Sequence, residues 1–512
     1  MWDELVSTAI VGTTAQAAPI TAESDGLSAA LAGLNPDDRE AHLLAAAGLT
    51  AMWRLAGARP ARDSRPVPDP CEPESAPTLG PRASHYLERM LAGQFQEVLP
   101  EFLEAMSSPT KVVPPELVPD LLEKARENAP LRRFLPKVTG RRGQWLAAKN
   151  PLWRDLAAAP DEAVWETGKS DERVALLSHL RATNPGRAIE LLASTWKQES
   201  AKDRPIFLAQ LSNGLGLEDE PFLEEALTDN RIEVRRAATG LLARLPGSRL
   251  SAEAREILFS SIELKTRLLG KSKLEISLTD DLPNRLKAAR IDLESVPGSA
   301  AFKTLGQKAK LLYQIVAITP PAAWTDRFER APERLVEAAR ESDWSVALMA
   351  GWTEALARHP QAEWTQSLIR LNLSPSTFEP ALAPVPESAM KALPRDTAEE
   401  LIAEALKFEP IIGDHPALWL IAAFPGPWSE RLSRMVIQSA RRQVTSLQPY
   451  QRSIFDALGQ CGLKMPPQLA SEFGSGWRTE AGALDRTIKL IDEFVALLTF
   501  RRDMLASIAS SA

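Results

Sequence analysis

Apolar residues recur at helical rather than alternating spacing along most of this 512-residue chain. After the acidic turn Asp37-Asp38-Arg39-Glu40, an Ala/Leu-rich run continues to Trp53. Carboxylates in a first turn meet the positive end of the helix dipole, so a helix is predicted to start there. From Ser84 onward, short amphipathic stretches follow one another, broken by Pro, Gly or Asn about every ten to twenty residues. Phe222, Leu223, Ala226 and Leu227 form one apolar stripe. Ile232, Val234, Ala237, Ala238, Leu241, Leu242 and Leu245 form the next, again at helical spacing. Helices that cannot bury such stripes alone stack in pairs, so the fold class is all-α, an α-solenoid. Helical period fails at Leu274, Ile276 and Leu278, which alternate with polar residues after the turn-forming Gly270-Lys-Ser-Lys. A small β-hairpin is predicted near residues 264–279.

The unit from Pro221 to Gly247 resembles a HEAT repeat. That resemblance implies structural roles for Asp229 at the turn and Arg235 early in the second helix, as rungs of a ladder between repeats. Pro185 to Leu211 has the same plan but carries Asp203-Arg204-Pro205 where the Val-Arg pair would stand. Arg59 to Arg82 contains seven prolines, a density no helix or interior strand tolerates, and reads as an extended linker. The predicted organisation is therefore an N-terminal helical segment (1–58), the linker (59–82) and a HEAT-like lobe (83–262). An insertion with the hairpin (263–298) and a C-terminal helical lobe (299–512) complete it. In that lobe Pro321 precedes Trp324 and Pro416 precedes Trp419, the spacing of a proline at a first helical position followed by an aromatic anchor.

Composition removes most catalytic chemistry. Two cysteines, Cys71 and Cys461, make neither a disulfide framework nor a zinc site. The five histidines stand apart, none within one helical turn of another. Adjacent acids such as Asp280-Asp281 point away from each other and read as solvated. No phosphate loop or nucleophile elbow occurs; Gly140-Arg-Arg-Gly143 lacks the required glycines and the Lys-Ser/Thr pair. No catalytic residue, metal ligand or cofactor is therefore assigned. The acidic start Met1-Trp2-Asp3-Glu4 does not suit a signal peptide, and the longest apolar run, Leu43 to Trp53, falls short of a membrane span of about 20 residues. A cytoplasmic protein is expected.

Charge changes the picture in one place. The net charge is -7, yet Asn128 to Arg154 holds seven Lys/Arg and no acid, with Phe134, Trp145 and Trp153 interleaved. Cations beside aromatic faces can grip single-stranded nucleic acid or an acidic protein. The candidate partner-binding residues are Arg132, Arg133, Arg141, Arg142, Trp145 and Trp153. A basic surface answered by nearby acids, with the tryptophans in the core, explains the same residues without a partner. Thirteen tryptophans against three tyrosines likewise read first as packing between helices.

Trp2-Asp3-Glu4-Leu5-Val6, Val11-Gly12-Thr13, Gly140 to Trp153, Leu242 to Ser248 and Phe494 to Leu505 together resemble a bacterial domain-of-unknown-function family, number 5691. Genes of that family commonly stand beside those for a MoxR-type AAA+ ATPase, von Willebrand A-domain proteins and a SWIM zinc-finger protein. The resemblance implies an accessory role in an ATPase-linked assembly. The reading that follows is a non-enzymatic HEAT-like scaffold or adaptor for protein partners, such as the MoxR-type ATPase or a von Willebrand A-domain protein. The alternative is a HEAT-like nucleic-acid-binding protein or DNA glycosylase-type enzyme using residues 128–154.

Overall fold

The computed structural model describes residues 2–15, 25–57, 68–107, 111–153, 156, 162–266, 272–291, 305–373, 385–444, 452–477 and 485–510. The chain divides into two compact units, Met1–Pro70 and Cys71–Ala512. Among the described residues the first has three helices, Trp2–Val11, Asp25–Ala32 and Arg39–Gly57. They close over a small core of Leu5, Leu27, Leu31 and Ala46.

The predicted linker ran to Arg82. Residues 59–67 of it lie outside the described residues, and from Cys71 the chain belongs to the second unit. Pro77 and Leu79 bracket Val112 with main-chain hydrogen bonds of 3.1 and 2.9 Å, and the Leu79 side chain is buried. The helix Pro81–Leu91 then begins on a proline, whose missing N–H costs nothing in a first turn. Proline density does not exclude docking: Thr78 forms a β-bridge with Val112, and an extended strand can still bury side chains such as Leu79.

The second unit is all-α apart from one hairpin and isolated bridges among the described residues. Strand β1 (Ile262–Thr266) pairs antiparallel with β2 (Ser272–Ile276), with Leu264 opposite Leu274. The hairpin starts slightly earlier than predicted, and its connecting residues, including Gly270, lie outside the described residues. Three apolar clusters organise the helices. The first gathers Leu87, Met90, Phe102, Leu121 and Leu122. The second runs through the predicted repeats, with Leu192, Phe207, Leu223, Val234, Ala238 and Leu242. The third holds Trp324, Trp352 and Trp364, whose rings touch at 4.9 and 5.0 Å between neighbours. Pro321 and Pro416 do occupy the starts of helices Pro321–Phe328 and Pro416–Ala423. Gly351 lets two helices meet: a β-carbon there would lie 2.6 Å from Val316 Cγ1.

The 26-residue helix Asp485–Ser510 ties the unit together. Phe494 and Leu498 enter the third cluster, whereas Phe500, Met504 and Ile508 enter the first. Between them Arg501, almost fully buried, forks onto both Glu101 oxygens at 2.6 Å and donates to the carbonyls of Met465 (2.7 Å) and Gly462. Stacked helix pairs leave apolar end faces that need capping. Here the helix Asp485–Ser510 covers the first cluster, and a charge-assisted fork fixes its depth. No helix among the described residues is long and apolar enough to cross a membrane.

Candidate functional site

The repeat region is held by arginines set between ring faces and carboxylates. Arg173 lies 4.2 Å over the Trp165 ring and 4.9 Å over Phe207, and it donates through two nitrogens to Glu199. Arg204 lies 5.5 Å over Trp196 and donates to Asp229 Oδ2 at 2.6 Å. The two sets are 31 residues apart (165 to 196, 173 to 204), and Arg235 follows at the same interval. Arg235 donates to the main-chain carbonyls of Asp229 (3.0 Å) and Asn230 (3.3 Å). Asp229 thus joins neighbouring helix pairs through Arg204, while its Oδ1 accepts from the Arg231 N–H at 2.8 Å. The sequence assigned no role to Arg173 or Arg204, although the recurrence of a tryptophan eight residues before each was there to be found. Arg181, fully buried, forks onto Asp219 at 2.7 and 2.9 Å and donates to the carbonyls of Leu211, Asn213, Pro185 and Gly214.

The basic segment is built differently. Its lack of acids is made good by acids from elsewhere in the chain. Arg141 pairs with Glu72 at 2.7 Å, and Arg133 with Glu104 at 3.7 Å. Arg132 donates to the carbonyls of Ala125 and Arg126, closing the end of the helix Val118–Glu127. The Trp153 indole N–H donates to Glu123 at 2.9 Å. With Arg126 as the larger influence, this holds the Glu123 carboxyl down at about 2. Gly140 opens the helix Gly140–Lys149 at φ +58°, a left-handed conformation that suits glycine, and Glu74 accepts the Arg141 main-chain N–H at 2.7 Å.

Arg132, Arg133, Arg141 and Trp153 are therefore engaged inside the unit, and Trp145 too has a partner. Arg142 and Trp145 share one face of the Gly140–Lys149 helix with Lys149, at positions i, i+3 and i+7. Lys149 is exposed and the other two are half-buried. Among the described residues no acid pairs with Arg142, Lys149 or the nearby exposed Lys137. Arg154 lies outside the described residues.

The remaining reactive groups are spent on packing. His359 stands at a helix end. It follows the helix Ser345–Arg358 and is buried, with Nε2 donating to the Ala243 carbonyl at 2.8 Å. Burial pulls its pKa below the ordinary value, so it serves as a neutral bridge to the end of the helix Ile232–Leu242. His415 is also buried and lowered, its Nδ1 accepting the Ala417 N–H at 3.1 Å. Cys461 is enclosed and its thiol is pushed up to about 12, far from a nucleophile's range. Among the described residues no group of three or more His, Cys, Asp or Glu could hold a metal ion.

A cleft of about 640 Å³ opens where the helix Asp485–Ser510 passes the helix Pro81–Leu91. Tyr86, Phe95, Trp477 and Phe500 form apolar walls, with Arg89 and Asp492 adding charge. Phe95 has φ +50° and stacks on Phe500 at 4.5 Å, while Arg89 sits 4.9 Å over the same ring. The cleft can take an apolar group, and among the described residues its lining pairs no acid, base and nucleophile. Its walls come from opposite ends of the unit's sequence, which is why periodicity did not reveal it.

Neither the curated proteins nor the solved structures include a match to this chain. A family model does match, over residues 4–508, which is nearly all of the sequence. The chain thus belongs to the family of unknown function DUF5691.

Proposed function

We propose that the protein is a non-enzymatic HEAT-like scaffold that engages an acidic surface of a protein partner through the helix Gly140–Lys149. The observation that carries the reading is the face formed by Arg142, Trp145 and Lys149, whose cations have no acid among the described residues. Neighbouring arginines of the same segment are consumed by Glu72, Glu104 and helix-end carbonyls. A tryptophan between two cations is the composition of an interface anchor. Supporting it, His359, His415 and Cys461 are enclosed and held in their neutral forms.

The family resemblance makes a MoxR-type AAA+ ATPase and a von Willebrand A-domain protein the first partners to test. Purified candidates are titrated against the immobilised full chain at low and moderate salt. Arg142→Glu combined with Lys149→Glu should weaken binding by about tenfold or more, and wild-type affinity should fall as salt rises. Binding indifferent to these substitutions sinks the assigned face. Tight binding of a single-stranded oligonucleotide, with no protein bound, overturns the scaffold reading in favour of a nucleic-acid platform built on Trp145.

A further inference from the structure

We infer that the protein self-associates through the outer face of the helix Arg39–Gly57, paired antiparallel with the same helix of a second copy. The face belongs to the first unit, and the inference does not depend on the function proposed above. The small core of that unit leaves much apolar surface uncovered. Leu44, Met52 and Leu55 are 74%, 69% and 77% exposed, with the exposed Ala41, Ala45 and Gly48 between them. These six residues fall on one stripe of the helix, opposite the stripe of Leu43, Ala46 and Thr50 that faces inward. Apolar runs of this extent on a helix surface mark a partner.

Three features select a second copy as that partner. The stripe is self-complementary about Gly48. In an antiparallel pair crossing there, Leu44 meets Met52 of the second copy, Ala41 meets Leu55, and Ala45 meets Ala51, so large residues face large or small ones without collision. Gly48 itself has no neighbour within 4 Å of where its β-carbon would lie, so packing inside the unit does not require it. Glycine weakens a helix interior, and a close helix crossing is the use that offsets this. Finally, Glu40 and Arg54 lie on the same flank of the stripe at opposite ends. Both are exposed, with Thr13 Oγ1 at 3.4 Å from Glu40 and the Trp2 ring 5.2 Å from the Arg54 guanidinium. A two-fold axis through Gly48 brings each Glu40 beside the other copy's Arg54. Such an isologous contact buries the same patch twice and closes the assembly as a dimer. The 19-residue helix is about 28 Å long, so the interface is small and the dimer is expected to dissociate in the micromolar range.

Sedimentation velocity on the full chain from about 1 to 100 µM tests this directly. The wild type should pass from monomer to dimer across that range, and Leu44→Glu or Met52→Glu should remain monomeric. Because either could disturb the small core, charge exchange provides a second arm. Glu40→Arg should weaken the dimer several-fold, and adding Arg54→Glu should restore it. In a Cys71→Ser background, Gly48→Cys should form a disulfide-linked dimer under mild oxidation, whereas Leu44→Cys should not. A wild type that stays monomeric overturns the inference, including one whose face is instead captured by a different protein. So does undiminished association of Leu44→Glu, or failure of the double charge exchange to restore association.

Discussion

Between Trp165 and Asp229, arginine side chains lie between indole faces and carboxylates; between Asn128 and Trp153, they reach acids from other parts of the chain or face solvent. The residue types are the same and the consequences differ. Arg173 and Arg204 find their acids 26 and 25 residues away, one helix pair further on, where stacking repeats the geometry. Arg141 finds Glu72 across 69 residues, in an exposed pair that solvent screens. An arginine enclosed between a ring and a carboxylate is held by both, so it dictates the positions of its neighbours even where, as at Arg173 and Arg204, its Nε finds no acceptor. An exposed one leaves its neighbours free, and therefore remains available to a partner.

The comparison breaks most visibly at Arg181. Replacing it with alanine leaves Asp219 charged and buried without its fork, together with unpaired carbonyls. A loss of about 3–5 kcal/mol is expected in urea unfolding. Arg501→Ala should match it, and hydrogen exchange should then show the helix Asp485–Ser510 opening first. A loss below about 1 kcal/mol for either would show that these forks are ornaments on a core that packs without them.

Arg204→Lys sharpens the contrast at lower cost. Lysine keeps the charge but loses the planar guanidinium that faces Trp196 and meets Asp229, so about 1 kcal/mol should be lost. The same change at Arg133, exposed beside Glu104, should leave the unfolding midpoint unmoved.

A smaller effect is expected in pH dependence. His359 is neutral when folded because burial lowers its pKa, whereas the unfolded chain takes up a proton near the ordinary value of about 6.5. The unfolded state therefore binds more protons below that pH. Stability should be complete above about 6.5 and fall as pH drops from there toward the folded pKa. His359→Gln should flatten that fall in melting curves recorded down the acid range, although His415 acts in the same direction and will keep part of it. An unchanged slope would remove His359 as its source.

The smallest effect belongs to the face proposed for partner binding. Arg142→Glu with Lys149→Glu should shift unfolding by no more than about 0.5 kcal/mol per site, because neither is engaged by an acid among the described residues. A large destabilisation would mean that this face is part of the packing, as at Arg173, and would move it to the other side of the comparison.

Much of the fold was legible because helical period is a local signal. The stripe from Ile232 to Leu245 needs only its own sequence to declare a helix with one apolar face, and Pro321 and Pro416 mark helix starts by their own chemistry. Alternation at Leu274 and Ile276 marked the hairpin for the same reason. The candidate site was legible only as composition. Seven cations without an acid are visible in sequence, but which of them are answered depends on Glu72 and Glu104, and their approach is set by packing.

Sequence by itself therefore determined the all-α character, the helix boundaries marked by proline, and the scarcity of reactive side chains. Tertiary structure alone decided that Cys71 to Leu79 docks rather than dangles, and that Arg501 joins Glu101 across 400 residues. It also decided which of several similar arginines are buried. The physical reason is range: helix formation is settled by neighbours within a turn or two, whereas the desolvation that commits an arginine to one carboxylate exists only once distant helices have closed over both.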